Sequence, residues 1–133
     1  MRQRLAQLAL VVRDYDEAIA YYTEKLGFML LEDTVLSPAK RWVRIAPSGY
    51  QPGDCCFLLA KAANEKQEQA IGNQTGGRVF LFLHTDDFER DFGKLNENLI
   101  PIIGGKRIEP YGTVAVFQDL YGNLWDLIQP NES

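Results

Sequence analysis

The spacing of apolar and polar residues predicts a strand and then an amphipathic helix at the start of the chain. Residues 5–12 form an apolar run interrupted by Gln7, which indicates a strand buried on both faces. Asp14 and Glu17 follow with the spacing of a helix N-terminal cap. Apolar residues at helical spacing continue to Gly27, which occupies the usual glycine position just past a helix end.

Three further strands are predicted in the first half of the chain. They lie at 28–34, 41–46 and 55–60, and turns that contain proline and glycine separate the last two. A polar stretch at 61–77 follows, in which 64–70 has the composition of a short helix. We interpret this polar stretch as the connection between two halves.

The second half of the chain repeats the pattern of the first. A strand is predicted at 79–83, and Asp86 and Glu89 repeat the spacing of the first helix cap. The glycine pair at 104–105 is interpreted as a turn. The remaining predicted strands lie near 100–104, 112–118 and 124–129.

Repetition of this kind is a signal at the level of the whole fold. It predicts an α+β domain that spans residues 1–133 and is built from two tandem βαβββ modules. The first module covers about 5–62, the crossover about 63–76 and the second module about 77–130. A chain of 133 residues has the length of one ordinary domain.

Composition and charge narrow the class of partner. Eighteen acidic and fourteen basic residues give a formal charge of −4, which argues against a nucleic-acid surface. No apolar run approaches the roughly 20 residues of a membrane helix, and the first residues lack a secretory signal. The two cysteines, Cys55 and Cys56, are neighbours and would form a strained disulfide. We therefore expect a cytoplasmic protein without nucleic-acid or membrane partners.

Segments at both ends of the chain resemble a known family. Residues 12–18, 21–22 and 25–28, together with 117–127, resemble signatures of the vicinal oxygen chelate superfamily. Its members include glyoxalase I, bleomycin-resistance proteins and extradiol dioxygenases. The resemblance implies one eight-stranded, curved mixed sheet that forms a central cup, with helices on its outer face. It also implies a homodimer, since a partner commonly covers open sheet edges.

The resemblance also implies where a divalent metal would bind. Metal-dependent members hold the ion with four side chains inside the cup, and the matching positions here are Gln7, Cys56, Phe80 and Asp126. Leu58 is an alternative to Cys56, and Arg78 is an alternative to Phe80. Phenylalanine has no donor atom and arginine has no lone pair to offer. We therefore expect no metal cofactor, with a divalent metal held by an incomplete site as the alternative.

The same positions define a predicted ligand pocket. Strand alternation places Phe82 and His84 on the same face as Phe80, which the resemblance places in the cup. The predicted pocket residues are Gln7, Trp42, Cys56, Phe80, Phe82, His84, Tyr111 and Asp126. His84 is the only histidine, and its alternative role is a hydrogen bond to a loop or helix cap. Asp126 either orients a ligand or is hydrogen-bonded to its neighbours, and we expect it to approach Gln7.

Aromatic residues at former ligand positions favour a binding function. We expect a glyoxalase/bleomycin-resistance-like protein whose cup binds a small molecule without the usual metal. The alternative is a metal-dependent lyase, isomerase or dioxygenase of glyoxalase type. A third possibility is a structural or regulatory dimer without a ligand. Whether the chain is an enzyme stays open at this point, and the expected activity of an enzyme would be that of a glyoxalase-like lyase.

Overall fold

The computed structural model describes residues 1–132, and its elements follow the predicted order. The first half contains β1 (Gln7–Val12), α1 (Tyr15–Ala20), a π-helical turn (Tyr21–Lys25), β2 (Met29–Ser37), β3 (Lys40–Ala46) and β4 (Cys56–Lys61). The short helix α2 (Glu65–Ala70) follows. The second half contains β5 (Val79–His84), α3 (Phe88–Glu97), β6 (Ile102–Glu109), β7 (Gly112–Gln118) and β8 (Leu124–Pro130). None of the helices within residues 1–132 has the length and apolar character to span a membrane.

The eight strands form two four-stranded mixed sheets with the same topology. Their strand orders are β1-β4-β3-β2 and β5-β8-β7-β6. In each sheet the first pair is parallel and the other two pairs are antiparallel. The α+β class and the two tandem modules are therefore confirmed. The resemblance implied one eight-stranded sheet, whereas the hydrogen bonding divides the strands into two sheets.

The chain divides into two compact units, which we call unit one (residues 1–70) and unit two (from residue 71 onward). The boundary falls inside the predicted crossover at 63–76. In unit one, α1 packs against β3 and β4, and the sheet buries Leu10, Val43 and Leu59 on that side. We call the opposite side of each sheet, which lies away from the helix of the same unit, its helix-free face.

The predicted cap of the second helix is displaced by one residue. In unit one, Asp14 accepts a hydrogen bond from the backbone N–H of Glu17 at 2.8 Å, as predicted. In unit two the capping residue is Asp87, which accepts from the backbone N–H of Arg90 at 3.1 Å. The prediction of Asp86 was wrong because the chain first turns at Thr85, whose hydroxyl accepts from the N–H of Asp87. Both residues are aspartates, so spacing alone did not distinguish them.

The glycine pair at 104–105 lies inside a strand and does not form the predicted turn. Both glycines have positive φ, at 80° and 78°. The register of β6 against β7 shifts between Ile103 and Arg107, so the two glycines lie within an irregularity of the ladder. The strand therefore continues to Glu109, well beyond its predicted end near residue 104. This extension brings Arg107 and Glu109 into the sheet.

Candidate functional site

Strand β8 presents Asp126 on the helix-free face of unit two. On the other side of the strand, Trp125 and Leu127 are buried, and the Gln129 side chain accepts from the N–H of Phe88 at the start of α3 at 2.8 Å. Because successive side chains of a strand point to opposite faces, Asp126 lies on the side away from α3.

Apolar side chains surround Asp126 on this face. The strand register pairs it with Phe82 of β5 and with Val116 of β7. Val116 in turn pairs with Ile103 of β6. Phe82 is 64% exposed, an unusual state for an aromatic side chain in the interior of a strand. His84 lies two residues further along β5, on the same face as Phe82.

The Asp126 carboxylate is buried and only partly compensated. Asp126 is only 8% exposed, and its Oδ1 atom has no hydrogen-bond partner among residues 1–132. Burial raises the pKa of Asp126 above its usual value, and the charge of Arg107 opposes that rise. Arg107 itself contacts Glu109, with Nε 3.4 Å from Oε1. The site therefore contains a desolvated carboxylate with one buried oxygen that has no hydrogen-bond partner among the described residues.

A second buried carboxylate positions the start of β8. Asp119 is 5% exposed, and its Oδ1 accepts from the backbone N–H groups of Tyr121, Gly122 and Asn123 at 2.9–3.1 Å. Its Oδ2 accepts from the side chains of Asn123 and Trp125, each at 3.0 Å. These bonds fix the turn and the indole that directly precedes Asp126. Sequence reasoning did not single out the carboxylate that organises this turn.

The loop at Gly72 packs against this turn. Gly72 has a φ of 72°, and a Cβ atom there would lie 1.8 Å from the carbonyl oxygen of Tyr121. No side chain fits at that distance, so only glycine permits the approach. The loop that precedes β5 and the turn that precedes β8 are therefore held together within unit two.

Polar groups on the helix-free face of unit one are paired with each other. Arg44 donates through Nε to Glu32 at 3.0 Å and through Nη1 to the sulfur of Cys56 at 3.7 Å. The thiol of Cys56 donates to Oε1 of Gln7 at 3.9 Å. The hydrogen bond that Arg44 donates to Glu32, and after it the one to Cys56, raises the pKa of Arg44 above its usual value. Gln7 and Cys56, two predicted pocket residues, are thus adjacent, and Arg44 contacts Cys56.

The other predicted pocket residues take different places. Trp42 pairs with Thr34, on the same face as Arg44. Phe80 lies where the register of β5 against β8 shifts, and Phe82 is the strand partner of Asp126. Tyr111 lies in the turn between β6 and β7 and is exposed. The predicted approach of Gln7 and Asp126 stays a prediction.

Arg107 and Glu109 were missed because the strand that carries them was predicted to end too early. Their signal in the sequence is the alternation at 107–109, where two charged residues flank Ile108. Alternation of this kind is typical of a strand with one polar face. The preceding glycine pair was interpreted as a turn, so the strand was not predicted to extend to these residues.

The donor set of the predicted metal positions does not fit the usual metal of the family. In unit one the Cys56 thiol is in contact with a guanidinium cation, which disfavours a second cation there. In unit two the strand neighbour of Asp126 is Phe82, which has no donor atom. Within residues 1–132 no three or more His, Cys, Asp or Glu side chains form a group that could hold a metal ion.

Comparisons with known proteins agree with the architecture. A protein of Shewanella frigidimarina (strain NCIMB 400), itself uncharacterized, is 51% identical over 133 residues, which covers 99% of this chain and 97% of that protein. The crystal structure of TnmS3, an antibiotic binding protein from Streptomyces sp. CB03234, is similar with a TM-score of 0.75 at 29% identity. That likeness covers 98% of each chain.

A second Streptomyces structure supports the same assignment. A glyoxalase/bleomycin resistance protein from Streptomyces sp. CB03234 is 30% identical with a TM-score of 0.71, over 95% of this chain and all of that one. Residues 4–127 also match the family model of the glyoxalase/bleomycin resistance protein/dioxygenase superfamily. The match extends over most of the chain and includes both units. The chain therefore belongs to the glyoxalase/bleomycin resistance protein/dioxygenase superfamily.

Proposed function

We propose that this protein binds a small, partly aromatic molecule and does so without the usual metal of its family. The observation that carries the proposal is the pairing of an exposed Phe82 with a buried, unpartnered Asp126 on one sheet face. Small-molecule sites combine an apolar lining with a few polar groups that fix orientation. The similarity to an antibiotic-binding protein supports the same class of function.

The apolar side chains around Asp126 support an aromatic ligand. Ile103, Val114 and Val116 lie on the same face as Phe82, and Ile103 remains half-exposed. An aromatic ring that stacks on Phe82 would gain contact area there in addition to the ring–ring attraction. The donor set supports binding without metal, since Gln7 and Cys56 are engaged with each other and Arg44.

A ligand screen by thermal shift tests this proposal. Aromatic antibiotics and fragments are added to protein in the presence of a chelator, and a true ligand stabilises the fold increasingly with concentration. We expect Phe82→Ala to weaken the affinity of any hit at least about tenfold, because a stacked ring is lost. Ile108→Ala is the matched control, since Ile108 is 76% exposed on the other side of β6 and should leave affinity unchanged.

Two results would contradict the proposal. Unchanged affinity in Phe82→Ala would place the ligand elsewhere. Near-stoichiometric Ni, Zn, Mn or Fe in protein purified without chelators, together with loss of binding on chelation, would instead favour the glyoxalase-type metalloenzyme.

We also propose a cytoplasmic homodimer as the functional form. Val35 and Leu36 on the edge strand β2 are exposed apolar residues, which a partner chain would cover. Cys55 and Cys56 are free thiols, as expected in a reducing compartment. Light scattering that gives the monomer mass of 15.1 kDa at micromolar concentration would contradict the dimer.

A further inference from the structure

We propose that the ligand is an aromatic cation, in which a protonated amine donates to Asp126 while the attached ring lies on Phe82. This inference rests on the proposed function and adds the charge of the ligand to it. It also assigns a positioning role to Glu109, which holds Arg107 so that Asp126 is left for the ligand. Three observations in unit two lead to it.

The first observation is the charge of the helix-free face. In strands β5 to β8, the charged side chains on this face are Asp126, Arg107 and Glu109. The remaining charged side chain of these strands, Lys106, instead binds Glu89 of α3 at 2.9 Å. These two carboxylates and one guanidinium sum to one net negative charge, with His84 of β5 on the same face left out of the sum. A ligand with a single positive charge would neutralise it.

The second observation is that Arg107 is engaged with another residue. Its Nε lies 3.4 Å from Oε1 of Glu109, two residues along the same strand. Arg107 pairs with Val114 in the sheet, whereas Asp126 pairs with Val116. Strand β7 therefore separates the guanidinium from the carboxylate, and the two interact only through space.

The third observation is the state of the Asp126 carboxylate itself. Its Oδ1 is buried and has no hydrogen-bond partner within residues 1–132. A buried, unpaired carboxylate is unfavourable, and a charge-assisted bond from an ammonium group is among the strongest ways to compensate it. A neutral alcohol supplies a donor but no charge, and a carboxylate ligand would be repelled.

Phe82 provides the second contact of such a ligand. Its ring is largely exposed and lies on the strand beside Asp126. An ammonium group close to an aromatic face is favoured by the ring quadrupole, and an attached ring can stack in an offset arrangement. The two contacts together select a molecule in which amine and ring are neighbours.

Three probes of the same shape and different charge test the inference. These are 1-naphthylmethylammonium, 1-naphthylmethanol and 1-naphthoate, each titrated calorimetrically into the full chain near neutral pH and at low salt. We expect the amine to bind at least about tenfold more tightly than the alcohol, and the carboxylate to bind most weakly. In Asp126→Asn the advantage of the amine should disappear, while the affinity of the alcohol changes by no more than about twofold.

Variants of the two other charges give effects of opposite sign. Arg107→Gln removes the opposing cation and should tighten the amine several-fold, while the alcohol is unaffected. Glu109→Gln frees Arg107 to neutralise Asp126 and should weaken the amine several-fold. A purely structural role of either residue would change the affinities of all three probes together.

The outcomes separate this inference from the proposed function. Equal binding of amine and alcohol, or an advantage of the amine that survives in Asp126→Asn, overturns the cation inference but leaves an aromatic binding site. An unchanged amine affinity in Glu109→Gln overturns the positioning role. Failure of the wild-type chain to bind any of the three probes at millimolar concentration contradicts the proposed function itself.

Discussion

The two units share one topology, yet they treat the polar groups on their helix-free faces differently. In unit one, Arg44 binds Glu32 and contacts Cys56, and Cys56 bonds to Gln7. In unit two, Asp126 is buried among apolar side chains with an oxygen that lacks a partner in the described chain. The same strand order thus supports a paired network in one unit and an isolated carboxylate in the other.

This difference should also affect how much the polar groups of each unit contribute to the stability of the fold. Paired polar groups stabilise a sheet modestly, whereas an unpaired buried charge destabilises it. Groups that are costly to the fold and unexplained by it are typical of binding and catalytic sites. The comparison therefore supports the proposal that Asp126 of unit two takes part in ligand binding.

A contrast inside unit two sharpens this conclusion. Asp119 and Asp126 are both buried, but Asp119 accepts five hydrogen bonds, whereas Oδ1 of Asp126 accepts none from residues 1–132. The same chemical change, carboxylate to amide, should therefore have opposite effects on stability at the two positions.

The largest expected effect is the loss of stability in Asp119→Asn. The new amide group would point its N–H donors at the donors of Asn123 and Trp125, which leaves buried groups unpaired. We expect the free energy of unfolding to fall by about 2–4 kcal/mol, as for a broken buried network of charged hydrogen bonds. Urea denaturation should show a lower midpoint with an unchanged m-value. An unchanged midpoint would mean that the turn does not depend on the carboxylate.

The next effect is a gain of stability in Asp126→Asn. Removal of an uncompensated buried charge should raise the free energy of unfolding by about 1 kcal/mol at neutral pH, which corresponds to a few degrees in Tm. Asn also keeps the shape of the side chain. A loss of stability at neutral pH would show that the ionised carboxylate has a partner, and the comparison between the units would fail.

The pH dependence of that gain follows from the raised pKa of Asp126. A folded-state pKa above the ordinary value of 3.8 means that protonation favours the folded state. This contribution is present below the unfolded pKa and is lost as the pH rises through the folded pKa. The advantage of Asp126→Asn should thus be larger at about pH 7.5 than at about pH 4, measured as the difference in Tm. An advantage that does not grow over this range contradicts the assignment.

The smallest pair of effects concerns the helix ends of the two units. After the first helix, Gly27 has a φ of 72°, and after α3 the equivalent left-handed residue is Leu99 with a φ of 58°. Leu99 is 86% exposed, and its neighbour Ile100 donates back to the carbonyl of Leu95 as in a glycine-terminated helix.

Substitutions at these two helix ends should change the free energy of unfolding in opposite directions. Gly27→Ala is expected to destabilise by about 1 kcal/mol, since a Cβ there meets open space and only the backbone is strained. Leu99→Gly is expected to stabilise by about 0.5 kcal/mol, because relief of the strain exceeds the added entropy of the unfolded chain. Thermal unfolding of both variants measures this, and a shift of the same sign in both would refute the explanation.

Much of the fold follows from local patterns. Apolar periodicity predicted the strands and helices in their observed order, and the repeated strand–helix order predicted two tandem modules. The errors occurred where one residue decides the geometry. The second helix begins after Asp87 and not after Asp86, because Thr85 takes part in the turn.

The sequence predicted residues of the candidate site but not which of them lie beside one another in the sheet. Strand alternation selected Phe82 through the face that it shares with Phe80, and the family resemblance selected Asp126. It selected Phe80 as the match to a ligand position, whereas the register brings Phe82 beside Asp126. Arg107 and Glu109 were absent from the prediction because β6 continues through the irregularity at the glycine pair.

The sequence by itself determined the order of the elements, the period of most of them and the duplication of the module. These properties depend on local sterics and on burial of one side of each strand, which the order of residues encodes directly. Only the tertiary structure decided that Arg44 meets Glu32 while Asp126 meets Phe82. Pairing across strands depends on register, and a single irregularity in the ladder changes every partner beyond it.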